Sequence, residues 1–256
     1  MKINQIAAQL YTVREYLKTP KDIAQSLGKI KDIGYQSIQV SGMGPIDENE
    51  LIKMLQDMGL NCCATHEPSN DILDKPEKII ERLKKLNCQY TSYPYPSNIK
   101  FESIQNVKEF AKRLNDSGKK LYDAGLALTY HNHQIEFQRI NNKPILEILF
   151  EETNPRYLQA EIDTYWVQYG GGNPVDWCQR LKNRLPLLHM KDFKITKENT
   201  PYFAEIGNGN LDWKNILSAS EKSGCQWYIV EQDICPGDPF DSLKKSFDYI
   251  KENLCS

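Results

Sequence analysis

Short apolar or β-branched runs alternate along this chain with longer segments whose apolar positions recur at helical spacing, and the alternation occurs eight times. The short runs, QIAAQL, SIQV, NCCATH, CQYTSY, LALTYH, YLQAEID, LPLLHMK and WYIVEQ, read as strands. Between them PKDIAQSLGKIKDIG, DENELIKMLQDMG, PEKIIERLKKLN, SIQNVKEFAKRLNDSGKKLYDAG, PILEILFEETN, NPVDWCQRLKN and DWKNILSASEKSG read as helices, and DPFDSLKKSFDYIKENL closes the chain. Several of these stop at glycine or asparagine just ahead of the next strand, while Asn173 with Pro174, and Asp212, mark helix starts. A strand followed each time by a helix means a parallel sheet, because the crossover must return the chain across the sheet before the next strand can pair. Eight such units over 256 residues predict one α/β domain, residues 1–256, folded as a closed (β/α)8 TIM barrel. An open doubly wound sheet is the alternative, but the glycine-rich phosphate turn expected after its first strand is missing.

Composition narrows the partners. With 40% hydrophobic and 10% aromatic residues the chain can bury a sizeable core, and a net charge of -2 supplies no field to recruit nucleic acid or an anionic membrane. The N-terminal MKINQIAAQLYTV has neither a long apolar stretch nor a small-residue cleavage site, so a cytoplasmic protein is expected, with a homo-oligomer left open. Seven cysteines, an odd number without zinc-type spacing, are expected to be reduced and mostly buried, since Cys62, Cys88 and Cys225 lie in or beside apolar runs.

The polar residues inside those runs carry the chemistry. All four histidines, His66, His131, His133 and His189, stand at the ends of strand runs, and Asp163 and Glu231 occupy the matching ends of two more. Side chains two apart on a strand share a face, and this spacing recurs in His131 and His133, Glu161 and Asp163, His189 and Lys191, Glu231 and Asp233. Ionisable pairs at successive strand ends are hard to explain as packing in a barrel normally filled with branched apolar residues. A mixed histidine and carboxylate set suits Mn²⁺, Co²⁺, Zn²⁺, Fe²⁺ or Ni²⁺ better than Ca²⁺, which prefers oxygen throughout. Such a cation acts as a Lewis acid on a carbonyl or hydroxyl oxygen while a proton leaves the neighbouring carbon.

AAQLYTVREYL, YHNHQIEF, EIDTYWVQYGGGNPVDW, LLHMKDF, EIGNGNLDW and VEQD, in this order and spacing, resemble the sugar isomerase and epimerase superfamily with a xylose isomerase-like TIM barrel, also called the apurinic endonuclease family 2 fold. The resemblance covers essentially the whole chain. It implies a metal-dependent isomerase or epimerase acting on a ketose, sugar phosphate or keto-sugar by proton abstraction next to a carbonyl. The alternative on the same scaffold is a dehydratase or lyase of a cyclitol ketone or 3-keto-glycoside. It further implies one divalent ion, Mn, Co or Zn with Mg admitted, held by His131, Asp163, His189 and Glu231. His131 stands where the epimerase pattern has a glutamate, so Lys191 gains weight beside Glu231 as the catalytic proton carrier, and Glu136 is an alternative strand-five ligand. Like-charge repulsion from the cation would lower the pKa of Lys191. His66, His133, Glu161, Tyr11 and Trp166 are the expected substrate contacts, Tyr165 and Trp213 further apolar walls, and GGGNPVDW a candidate anion loop. Asp192 is expected to be structural. Abasic-site DNA cleavage, which the fold also hosts, is disfavoured by only four histidines and the net charge of -2.

Overall fold

Eight parallel strands close on one another in chain order: β1 (Ile6–Gln9), β2 (Ser37–Val40), β3 (Asn61–His66), β4 (Tyr90–Tyr93), β5 (Ala127–His131), β6 (Leu158–Asp163), β7 (Leu187–Met190) and β8 (Trp227–Val230), with β8 pairing back to β1. The computed structural model describes residues 1–255. Around the barrel lie α1 (Pro20–Ile33), α2 (Glu48–Met58), α3 (Ser69–Asp74), α4 (Pro76–Lys85), α5 (Ile104–Asp123), α6 (Ile145–Glu151), α7 (Thr164–Tyr169), α8 (Pro174–Arg180), α9 (Trp213–Lys222) and α10 (Pro239–Asn253). The predicted (β/α)8 TIM barrel is therefore the observed fold. No helix among the described residues is long and apolar enough to cross a membrane.

Local chemistry starts and stops these elements. Thr19 and Asp22 form a reciprocal capping box around Pro20, and Asp47, Ser103, Asn173, Asp212 and Asp238 each accept a backbone N–H at the start of α2, α5, α8, α9 and α10. Gly59 ends α2 in the left-handed conformation that glycine adopts without penalty. Gly118 serves contact rather than turning: a Cβ there would overlap the Tyr157 carbonyl, so only glycine lets α5 lie against the approach to β6.

Two α-helices and two hairpins among the described residues lie outside the predicted pattern. Helix α7 follows β6 without a loop because the Asp163 side chain accepts the Trp166 N–H and begins the turn itself. Helix α3, six residues long, is too short to show periodicity. Asp192–Ile195 pairs antiparallel with Pro201–Ala204 beyond β7, and Arg139–Ile140 with Lys143–Pro144 beyond β5.

Inside the barrel a small apolar plug of Ala7, Cys63, Ala64, Tyr90, Leu187 and Ile229 fills the lower half. Ala7 and Gln9, Leu187 and His189, and Ile229 and Glu231 are two residues apart, so the alternation that seats the plug seats a polar layer directly above it. That layer is the floor of the mouth.

Candidate active site

Strand register brings the layer together. His131 lies opposite Glu161 across β5 and β6, Asp163 opposite His189 across β6 and β7, and Gln9 opposite Gln39 across β1 and β2. One set of ligating atoms, from His131, Asp163, His189 and Glu231, converges within 4.8 Å, and a second, from His66, His131, Glu161 and His189, does the same. In the first set His131 Nε2 is 3.8 Å and His189 Nδ1 4.0 Å from Asp163 Oδ2, and His189 Nδ1 is 2.9 Å from Glu231 Oε2. Donors bound at about 2.1 Å to one transition metal stand about 3–4 Å apart, so these spacings fit a single cation.

The second set lies deeper. Glu161, with no exposed surface, accepts from Gln39 Nε2 at 2.7 Å and lies 2.6 Å from His66 Nε2. His131 Nδ1 approaches Glu161 Oε2 to 3.2 Å yet has no aligned hydrogen-bond partner among the described residues. His189 and His131 thus turn one ring nitrogen toward Glu161 and the other toward the first set.

Burial and proximity set the charges. Burial lifts Asp163 to about 7, against the pull of Lys191 and with the repulsion of Glu231. Burial opposes ionisation of Glu231 too, but Lys191 and His189 outweigh it and hold its carboxyl well below the usual range. For His189, burial is outweighed by Glu161 and Glu231, which raise it to about 10, whereas burial and the neighbouring His189 push His131 down to about 3. A buried carboxyl that resists ionisation beside a second carboxylate is a pairing that a cation would relieve. These four residues fit one.

Lys191 departs from the expected downward shift because of its own neighbours. Its Nζ lies 3.2 Å from Asp163 Oδ2, 2.9 Å from Glu231 Oε2 and 2.8 Å from Asp233 Oδ1, and these three carboxylates outweigh burial and drive its pKa up rather than down.

Above the floor opens a cavity of about 540 Å³ whose lining includes His66, His131, His133, Lys191, Glu231 and Asp233, with Tyr11, Trp166 and Phe203 as apolar walls. A larger one, about 1170 Å³, opens at the opposite end among Gln89, Gln159, Arg184 and Gln226 and contains none of the clustered groups. In TIM barrels the chemistry sits at the C-terminal ends of the strands, which selects the smaller cavity.

Several expected placements change. Glu161 lies beneath the cluster and is not among the cavity's lining residues. Glu136 joins neither ligand set: it is buried, accepting the Tyr130 hydroxyl at 2.7 Å and the His133 N–H at 2.8 Å, which ties down the turn after β5. Tyr165 packs face-on against Phe203, and Trp213 is buried with its indole N–H donating to Asp192, so neither walls the cavity. The glycines after Asp163 also lie away from it, Gly170 and Gly172 packing on Phe137. Asp192 is structural as expected, accepting N–H groups from Phe193, Gly207, Gly209, Leu211 and Trp213. Sequence reasoning missed Gln9 and Gln39, both fully buried, although each stands at or one residue before the end of its strand.

The class is defined by the closed eight-stranded parallel barrel with a buried histidine and carboxylate cluster at its strand ends. The family model for the xylose isomerase-like TIM barrel matches residues 27–253, and the chain belongs to that family. Among curated relatives, the inosose dehydratase of Mesomycoplasma hyopneumoniae strain J is 24% identical over 293 residues, covering 96% of this chain and 94% of that protein. The inosose dehydratase of Clostridium beijerinckii is 26% identical over 162 residues, 57% of this chain, and the match spans only about half of that relative's length, 54%. A solved structure named as a sugar phosphate isomerase/epimerase from Parabacteroides distasonis superposes with a TM-score of 0.84 at 22% identity, covering 98% of this chain and 95% of that one.

Proposed function

We propose that the protein removes a proton from a carbon next to a carbonyl in a sugar, keto-sugar or cyclitol, with one divalent cation, Mn²⁺, Co²⁺ or Zn²⁺ by its donor set and Mg²⁺ admitted, held by His131, Asp163, His189 and Glu231. The observation that carries this reading is the convergence of those four residues within 4.8 Å beneath a cavity onto which Lys191 also opens. When bound, the cation supplies Lewis acidity to the substrate's carbonyl oxygen. Glu231, ionised and exposed to the cavity, takes the proton. Lys191, 2.9 Å from that carboxylate, relays or returns it, and Asp233 at 2.8 Å keeps the ammonium aimed at the mouth. Tyr11 and Trp166 cover the C–H faces of the ring, while His66 and His133 hold hydroxyls.

The fate of the deprotonated substrate separates the reactions. Epimerisation at one carbon needs acid–base groups on both of its faces. Here the charged groups, Lys191, Glu231 and Asp233, lie together at the ends of β7 and β8, and the β5 end offers His131, which burial keeps neutral. A base beside its own proton donor on one side favours expulsion of a β-hydroxyl, that is, dehydration of a cyclitol ketone or 3-keto-glycoside. Isomerisation or 3-epimerisation of a ketose or sugar phosphate is the second reading, favoured by His133, whose buried Nδ1 has no partner among the described residues and could work the other face.

The test is incubation of Mn²⁺-loaded protein in D₂O with an inosose, a 3-keto-glucoside and free and phosphorylated ketoses, followed by NMR. Deuterium entering the carbon next to the carbonyl supports the common step, and enone formation distinguishes dehydration. Absence of exchange from every carbonyl substrate refutes it.

A further inference from the structure

The two ring nitrogens of His189 face different partners, and a chain of amides decides which one carries the proton. The Tyr11 N–H donates to Gln9 Oε1 at 3.2 Å, which fixes the Gln9 amide so that its Nε2 donates to Gln39 Oε1 at 2.6 Å. At its other end Gln39 Nε2 donates to Glu161 Oε1 at 2.7 Å, and a carboxylate can only accept. Turning the Gln39 amide over would oppose its oxygen to Glu161 and its nitrogen to Gln9 Nε2, two repulsive contacts in a fully buried place. Gln39 Oε1 is therefore an acceptor, and it lies 2.7 Å from His189 Nε2, which must be the protonated nitrogen. In the neutral ring that a metal ligand must be, the lone pair is then on Nδ1, the atom 2.9 Å from Glu231 Oε2 and 4.0 Å from Asp163 Oδ2.

We infer that Gln39, held in one orientation by Gln9 and Glu161, is a positioning residue that fixes the Nε2–H tautomer of His189 and so presents Nδ1 to a divalent cation. The inference rests on the metal-dependent function proposed for this site. It assigns Glu161 a task other than touching substrate, because its carboxylate is what forbids the reversed amide. A hydrogen bond that orients a histidine ligand from its far side is commonly worth 10–100-fold in metal affinity.

Two measurements test it. In Zn²⁺-loaded protein with ¹⁵N-labelled histidine, the ring that disappears in His189→Gln should carry metal on Nδ1 and hydrogen on Nε2; metal on Nε2 overturns the inference and needs no variant of Gln39. In Mn²⁺ titrations of chelator-treated protein, Gln39→Met and Glu161→Gln should each weaken the dissociation constant about 10–100-fold. The exchanged double variant, Gln39→Glu with Glu161→Gln, keeps an acceptor for the His189 proton without opposing two carboxylates and should recover most of that loss. Folded Gln39→Met binding Mn²⁺ within about threefold of the parent protein, against that range, sinks the assignment while leaving the functional reading intact. A parent protein that binds no cation removes both.

Discussion

Lys191→Met tests the charge balance at the floor most sharply. The substitution keeps most of the side chain's length and apolar stem while deleting the one ammonium that touches Asp163, Glu231 and Asp233 at 3.2, 2.9 and 2.8 Å. Lys191 is only 2% exposed, so no solvent replaces it, and removing one partner of a buried ion pair typically costs about 3–5 kcal/mol. For a chain of this size each kcal/mol moves the melting temperature by about 2–4 °C, which gives a fall of about 6–20 °C in the metal-free protein. The loss should be smaller at pH 6 than at pH 8, because Asp163, lifted by burial to about 7, can take up a proton at the lower pH and shed its charge. Scanning calorimetry in chelator at both pH values measures this directly. Mn²⁺ should then stabilise the variant more than the parent, since a cation replaces the missing positive charge. A fall of less than about 2 °C at pH 8, below one kcal/mol on the same scale, refutes the reasoning, as does an equal fall at both pH values.

Other residues give independent checks. Burial raises Glu136 to about 7, above its ordinary 4.5, so its contribution to stability is fully present below about pH 4.5 and is lost as pH rises through 7. Comparing urea unfolding of the parent and Glu136→Gln from pH 4.5 to 8 should show a difference of about 3 kcal/mol in that pH dependence; parallel curves contradict it. Asp192→Ala strands five donors around a buried site and should destabilise by about 3 kcal/mol or more, seen as a lower urea midpoint, with Mn²⁺ affinity little changed. Asp163→Asn and Glu231→Gln should lower turnover by at least about 100-fold, as expected when Lewis-acid or acid–base groups are lost, and abolish the Mn²⁺-induced thermal shift. Retention of either property would remove that residue from the proposed ligand set.

The barrel was legible because strands and helices differ in hydrophobic period and because eight alternations admit few closures. The strand ends were legible for the same reason: His66, His131, His189, Asp163 and Glu231 each stand at, or within one residue of, the end of a strand. Height within the mouth was not. Glu161 and Asp163 share a strand and a face, and only the register of β6 against β5 and β7 puts one beneath the histidines and the other beside the cavity floor. Gln9 and Gln39 escaped notice because a neutral amide near the end of a strand looks like a boundary residue, yet burial makes each hydrogen bond it forms consequential. Glu136 was read as an alternative ligand rather than a structural residue because its partners, Tyr130 and the His133 N–H, depend on a tight turn after β5 that periodicity does not describe. Likewise, the charge state of Lys191 depends on Asp233, which lies beyond the end of β8.

The central claim is that this floor holds one divalent cation. Protein purified without chelator or metal-binding tags and analysed by inductively coupled plasma mass spectrometry should contain about one equivalent of a transition metal, as a single four-residue ligand set predicts. Asp163→Asn should be depleted in parallel. A metal-free parent protein that also shows no thermal shift with added Mn²⁺, Co²⁺ or Zn²⁺ would contradict the account.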